Sequence, residues 1–412
     1  MALAMMRIGF AAVAAGVAIA GCDAGRLALE PRVEERHELV HPGAPHTAHV
    51  SEPALAVAPD GTPHLAWIRR DERGASVQSA SFASGDAAPV RVDPAERPVA
   101  GSHQAPGLAV ATGGRVHVSW SSPRRDEGAS LFASDLVLAT SSDGGRSFAA
   151  PLRLHEDEPG SRGFESIAAD AGGAVIAAWI ESDAGPGAAT RVVRVVDGAA
   201  GLVTSLGEQT CPCCRIAVAV DAAGRAGVLW RDEFPGRVRD MVFARSRDGG
   251  LRFAPAGRVC EDGWALDACP HRGGALAFAP DDRALVAWYS EGSAGQPALW
   301  LATGNAGGFG APTALHDGDG SLPDRVALAI GADGAGVVLW ERQTPVRSEI
   351  AARAVVAGDR RLGPTLVLSR GVHASGPAVV ASPSGGFVAA WNEEEFPALR
   401  TVLVNLALRS AP

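Results

Sequence analysis

The chain has 412 residues, 47% of them hydrophobic, with 50 Gly, 28 Pro and a formal net charge of −9. All 37 basic residues are Arg, which excludes Schiff-base lysine and P-loop chemistry, and without a basic tract the negative balance excludes a nucleic-acid partner. The Gly and Pro content predicts many turns and argues against long helices.

Residues 1–21 read as a lipoprotein signal peptide. Arg7 supplies a short positive region, and residues 8–20 form an apolar stretch too short for a comfortable membrane span. The stretch ends in IAGC, Ile19 to Cys22, which looks like a bacterial lipobox with Cys22 as the lipidated residue. The expected location is the bacterial cell envelope, anchored to a membrane and facing the periplasm. Five further cysteines then sit in an oxidising compartment, and five is odd, so at least one is free, metal-bound or intermolecular. Residues 22–44 are a linker carrying a strand-like segment that is expected to close a ring formed by residues 45–412.

A turn followed by a short apolar strand ending in Trp recurs seven times, at Trp67, Trp120, Trp179, Trp230, Trp288, Trp340 and Trp391. Each copy is preceded by a second apolar run, such as PALAVAPDG before Trp67, so each reads as a hairpin. A period of roughly 50 residues is the size of a four-stranded propeller blade. The predicted fold is all-β, a seven-bladed β-propeller of four-stranded antiparallel blades, with six blades as the alternative.

Two further stretches are SSDGGRSF (Ser141, Asp143, Gly145, Phe148) and SRDGGLRF (Ser246, Asp248, Gly250, Phe253). In such a stretch the Asp accepts backbone N–H groups within a tight turn, Gly supplies positive φ and the aromatic residue anchors the hairpin. Both resemble the Asp box of the BNR or sialidase-like β-propeller superfamily, although Arg252 departs from the pattern. The segment from TCPCCR to DACPH, residues 210–271, is similar to an uncharacterised group of exported bacterial sialidase-like proteins.

When the copies are aligned on Trp, the residues 17 or 18 before it are His49, His103, Arg162, Cys213, His271 and His373, with Leu322 and Pro323 in the sixth. These are expected near the propeller axis, with charged residues after each Trp forming a rim. Cys211, Cys213 and Cys214 open the fourth copy; Cys269 and His271 open the fifth. Thiolate plus imidazole is the ligand set of zinc and copper, and Cys213, Cys214, His271 and His103, with Cys211 or Cys269, could supply it. The competing reading is disulfides, Cys211 with Cys269 and Cys260 with Cys213 or Cys214. Arg239, Asp240, Trp264 and Asp267 are candidate supporting partners. The family resemblance implies a third reading, a sialidase with carboxylate-binding arginines, a Tyr/Glu nucleophile pair and an Asp acid. Its candidates are Arg162, Arg215, Arg231, Arg239 and Arg325, with Tyr289, Glu291 and Asp71; the segment expected near the start of such enzymes is absent. The partner is then a glycan, a small ligand or an envelope protein, and the last of these would make the propeller a non-catalytic scaffold.

Overall fold

The computed structural model describes residues 27–44, 46–83, 88–93, 105–124, 130–182, 187–305, 307–395 and 397–410. The expected leader and Cys22 lie outside them, as does His103. All regular elements among the described residues are strands. They form six sheets, two of four strands, three of five and one of eight, the last combining two antiparallel meanders through a single parallel pairing of Ser348 with His373.

The inner strands are Ala54–Val57, Gly107–Val110, Ser161–Ala169, Ala217–Val220, Gly274–Phe278, Leu322–Ile330 and His373–Ala381. Each lies against the next, and His373–Ala381 returns to Ala54–Val57, so they form a closed, propeller-like ring. The N-terminal strand Leu29–His41 is the outermost strand of the last meander, paired antiparallel with Ala398–Ser410. That pairing ties the two ends of the chain together and removes an exposed sheet edge.

The repeat has a direct physical basis. Every repeat Trp is buried on the second strand of its meander and packs against the neighbouring sheet. The hairpin tip needs a left-handed residue six positions before Trp. Gly fills it in six copies, for example Gly61 at φ +90°, while Asp282 at φ +74° fills it in the fifth. Asp282 is held there by ion pairs to Arg225 at 2.9 Å and to Arg245.

The first Asp box follows the third strand of its meander, Ser134–Ser141, at the end of the ring shared with the hairpin tips. Ser147 Oγ and Ser141 Oγ donate to Asp143 at 2.6 and 2.7 Å, and the Arg146 and Ser147 amides donate to it as well. Gly145 N and Gly250 N donate to Ser141 and Ser246, each at 2.8 Å, while Asp248 accepts the Arg252 amide at 2.8 Å. Phe148 and Phe253 pack into the cores beneath. The serine hydroxyls and amides hold the Asp143 carboxyl well below its ordinary range. A carboxyl depressed on folding stabilises above its unfolded pKa, near about 4, and that stabilisation is lost as pH falls. Asp143→Asn is therefore expected to flatten the acid-side fall of the urea midpoint, measured between neutral and acid pH.

Candidate functional site

The meanders run so that the hairpin tips and Asp boxes share one end of the ring and the cysteine segment lies at the other. The second end opens into a cavity of about 290 Å3, lined by Glu52, Arg215, His271, Arg272, Asp324 and Arg325, with Tyr289 in its wall. Below it a wider cavity of about 830 Å3 continues between the inner strands.

The charged residues at this mouth lie 15 or 16 residues before Trp in the first, fourth, fifth and sixth repeats, two residues later than the sequence spacing suggests. The inner strands of the third, sixth and seventh meanders carry a bulge just there. Each bulge puts one residue at positive φ: Phe164 at 56°, Arg325 at 38° and Gly376 at 67°. An extra residue changes which side chain faces the axis.

The mouth cations are matched by carboxylates. Arg272 grips Asp324 through two bonds of 3.0 and 3.2 Å and lies 4.2 Å over the Tyr289 ring. Arg325 pairs with Glu52 and with Glu341 at 3.5 Å. Arg215 donates to the Ala105 and Pro106 carbonyls at 3.1 and 3.3 Å, and its charge faces the buried Glu165, whose carboxyl is pushed up by burial. Small residues make room for these side chains. A Cβ on Gly376 would sit 2.6 Å from Glu52 Cγ, and one on Gly273 would sit 2.3 Å from the Arg215 carbonyl. Gly376→Ala is expected to cost more than about 1 kcal/mol, because positive φ and collision add; the urea midpoint measures it.

The sulfur residues gather at the rim of the same mouth. Cys211 and Cys214 are fully buried and Cys213 is 5% exposed. Cys211 Sγ lies 2.7 Å from Cys214 Sγ and 3.9 Å from Cys213 Sγ. The metal-ligating atoms of Cys213, Cys269 and His271 lie within 4.8 Å of one another, as do those of Cys211, Cys213 and Cys214. The CPCC turn brings the first three together locally, and the neighbouring meander supplies the other two. His271 takes positive φ (54°) and sits 6.3 Å from the Phe164 ring. Arg239 Nη1 donates to Cys211 Sγ at 3.1 Å. Hydrogen bonds from Cys213 and Cys214, with Arg239, hold the Cys211 thiol far below its ordinary value; Cys213 is raised by its sulfur neighbours, and Cys214 by burial.

The expected partner of Cys211 was Cys269; its nearest sulfur is instead Cys214, three residues on, while Cys269 lies beside Cys213. Cys260 stands apart, half-buried among Trp300 and Phe309, its thiol pushed up to about 11 by burial and then by Asp262.

The sialidase candidates are dispersed. Tyr289 donates to Glu291 at 2.7 Å, but it is only 3% exposed, and burial with Glu291 raises its hydroxyl. Of the five candidate arginines, Arg215 and Arg325 line the mouth. Arg231 is fully buried and donates to the Arg239, Tyr289 and Arg272 carbonyls at 2.6, 2.7 and 3.2 Å, under the Trp264 ring. Arg162 pairs with Glu181 at 2.7 Å, and Asp71 pairs with Arg69 at 3.2 Å. His49 is exposed on the short strand Ala48–Val50, and His373 lines a separate groove with His46, Arg370 and Glu393. Asp267 pairs with Arg237 rather than with a sulfur. The spacing from Trp missed Glu52 and Arg272; charge recurring 15 or 16 residues before Trp is the signal that finds them.

No family model matches the chain, and no curated protein matches it. Solved structures share its fold. A protein of unknown function from Dyadobacter fermentans is 14% identical, covering 92% of this chain and 99% of that one at a TM-score of 0.51. An ulvan lyase, a polysaccharide lyase, is 9% identical over 88% of this chain and 98% of that one, TM-score 0.57. The Penicillium chrysogenum alpha-L-arabinanase is 11% identical over 73% of this chain and 92% of that one, TM-score 0.50. At these identities the likeness is one of fold: an all-β, propeller-like array of antiparallel sheets.

Proposed function

We propose that this chain is an exported, lipid-anchored, seven-bladed sialidase-like propeller that binds a soft metal ion, copper or zinc, at the rim of its axial mouth. One observation carries the reading: Cys213, Cys269 and His271, from neighbouring meanders, bring their donor atoms within 4.8 Å of one another beside Cys211 and Cys214. Thiolate and imidazole suit these metals. Bound metal would hold the fourth and fifth meanders together, and Arg239 orients Cys211 from behind. The proposal is tested by elemental analysis of the purified protein, with His271→Ala expected to lower the metal content.

A glycan is the second reading for the mouth itself. It is favoured by the polysaccharide-active proteins that share the fold and by Arg215, Arg272 and Arg325 around a cavity of about 290 Å3. Because each of these cations already faces a carboxylate, the mouth suits a sugar recognised through hydroxyls better than a free carboxylate. Saturation-transfer NMR against neutral and acidic oligosaccharides separates the two classes; binding of acidic sugars alone would overturn the preference.

A further inference from the structure

Resting on the thiolate reading above, we infer that the site is dinuclear: two copper(I) ions share the Cys213 sulfur, one held with Cys211 and Cys214, the other with Cys269 and His271. The geometry behind this is an overlap. The cluster divides into two three-donor groups, each compact to within 4.8 Å, and Cys213 is the only member common to both. A thiolate sulfur has lone pairs enough to bridge two soft ions. No single ion is needed to explain five donors at one rim, and the two groups come from different parts of the chain.

Charge selects the ion. Arg231 and Arg239 are 0% and 4% exposed. Arg239 donates to Cys211 Sγ at 3.1 Å and reaches Glu233 at the protein surface at 3.1 Å. Arg231 spends its donors on three backbone carbonyls, and the buried carboxylate that feels its charge, Asp240, is paired with Arg258 at 3.3 Å. A buried guanidinium is costly unless negative charge lies near. Four thiolates with two monovalent copper ions carry two net negative charges, which match these two cations. Two zinc(II) ions would make the same cluster neutral and leave the two guanidiniums only Glu233 and the shared Asp240 as counter-charge. A Cys211–Cys214 disulfide would do the same to Arg239, whose Nη1 would then point at a neutral, weakly accepting sulfur. Soft thiolates also favour copper(I) over harder ions.

The test is anaerobic titration of the reduced full chain with copper(I) delivered from a chromophoric chelator, read as copper per chain and by X-ray absorption for a copper–copper feature. The expected result is two equivalents with that feature, unchanged by excess zinc(II). Cys269→Ser is expected to reduce two equivalents to one, and Cys260→Ser to keep two. Cys269 is exposed, so its replacement leaves the core intact, which circular dichroism checks. One equivalent in the unaltered chain would overturn the dinuclear site while leaving the single-metal reading standing. No bound copper with all five thiols free would overturn both, and displacement of copper by zinc would overturn the charge argument.

Discussion

Cys213→Ser is expected to strip bound metal from the chain without unfolding it, whereas Cys260→Ser is expected to leave metal content unchanged. Cys213 is the one sulfur that reaches both donor groups. It is 5% exposed and packs beside Phe164 rather than in a sheet core, so a hydroxyl of similar size is tolerated there. Losing a partner that only orients a ligand already costs about 10–100-fold in metal affinity. Removing the ligand itself is expected to cost more than about 100-fold. Cys260 provides the control, because it lies in a different cluster with its thiol raised to about 11 and so carries no thiolate near neutral pH. Metal bound per chain after dialysis, read alongside circular dichroism, distinguishes the two variants. Equal loss in both would mean that the sulfurs act through the fold and not as ligands.

The largest expected stability effect belongs to Trp288. Its indole is fully buried between the fourth and fifth meanders, against Leu229, Met241 and Phe243, and its Nε1 donates to Asp262 at 2.7 Å. Trp288→Ala is expected to destabilise by about 3–5 kcal/mol, as for other buried Trp truncations. Trp288→Phe and Trp120→Phe separate packing from the polar contact. Both indoles are fully buried, but Trp120 Nε1 has no hydrogen-bond partner while Trp288 Nε1 does. Trp288→Phe is thus expected to cost about 1.5 kcal/mol more than Trp120→Phe, the net worth of a hydrogen bond to a charged acceptor at its lower end. Urea unfolding midpoints at constant slope measure this, and equal costs would remove Asp262 from the account.

Much of the fold was legible because it is repetitive. The seven Trp copies each mark a buried second strand, and the strand-like segment before residue 45 does pair with the C-terminal strand. The Asp boxes were legible because their bonds are local, spanning four residues or fewer. The site was less so. Spacing from Trp placed Cys213 and His271 together, but it could not register the bulges before Ser166, Val326 and Ala378, the second of which carries Arg325 into the mouth. It paired Cys211 with Cys269 by equivalence of position, whereas the tight CPCC turn makes Cys214 the nearer sulfur. Nor can residue type distinguish a substrate-binding arginine from Arg231, all three of whose guanidinium nitrogens donate to backbone carbonyls.

On this reading the cysteine segment is a metal site and not a staple. Its most direct test is joint measurement of metal content and free thiols on the purified protein. The account predicts bound copper or zinc, with thiols at Cys211, Cys213, Cys214 and Cys269 that react only after a chelator removes the metal. Metal-free protein whose thiols are oxidised or blocked before any chelator is added would contradict it.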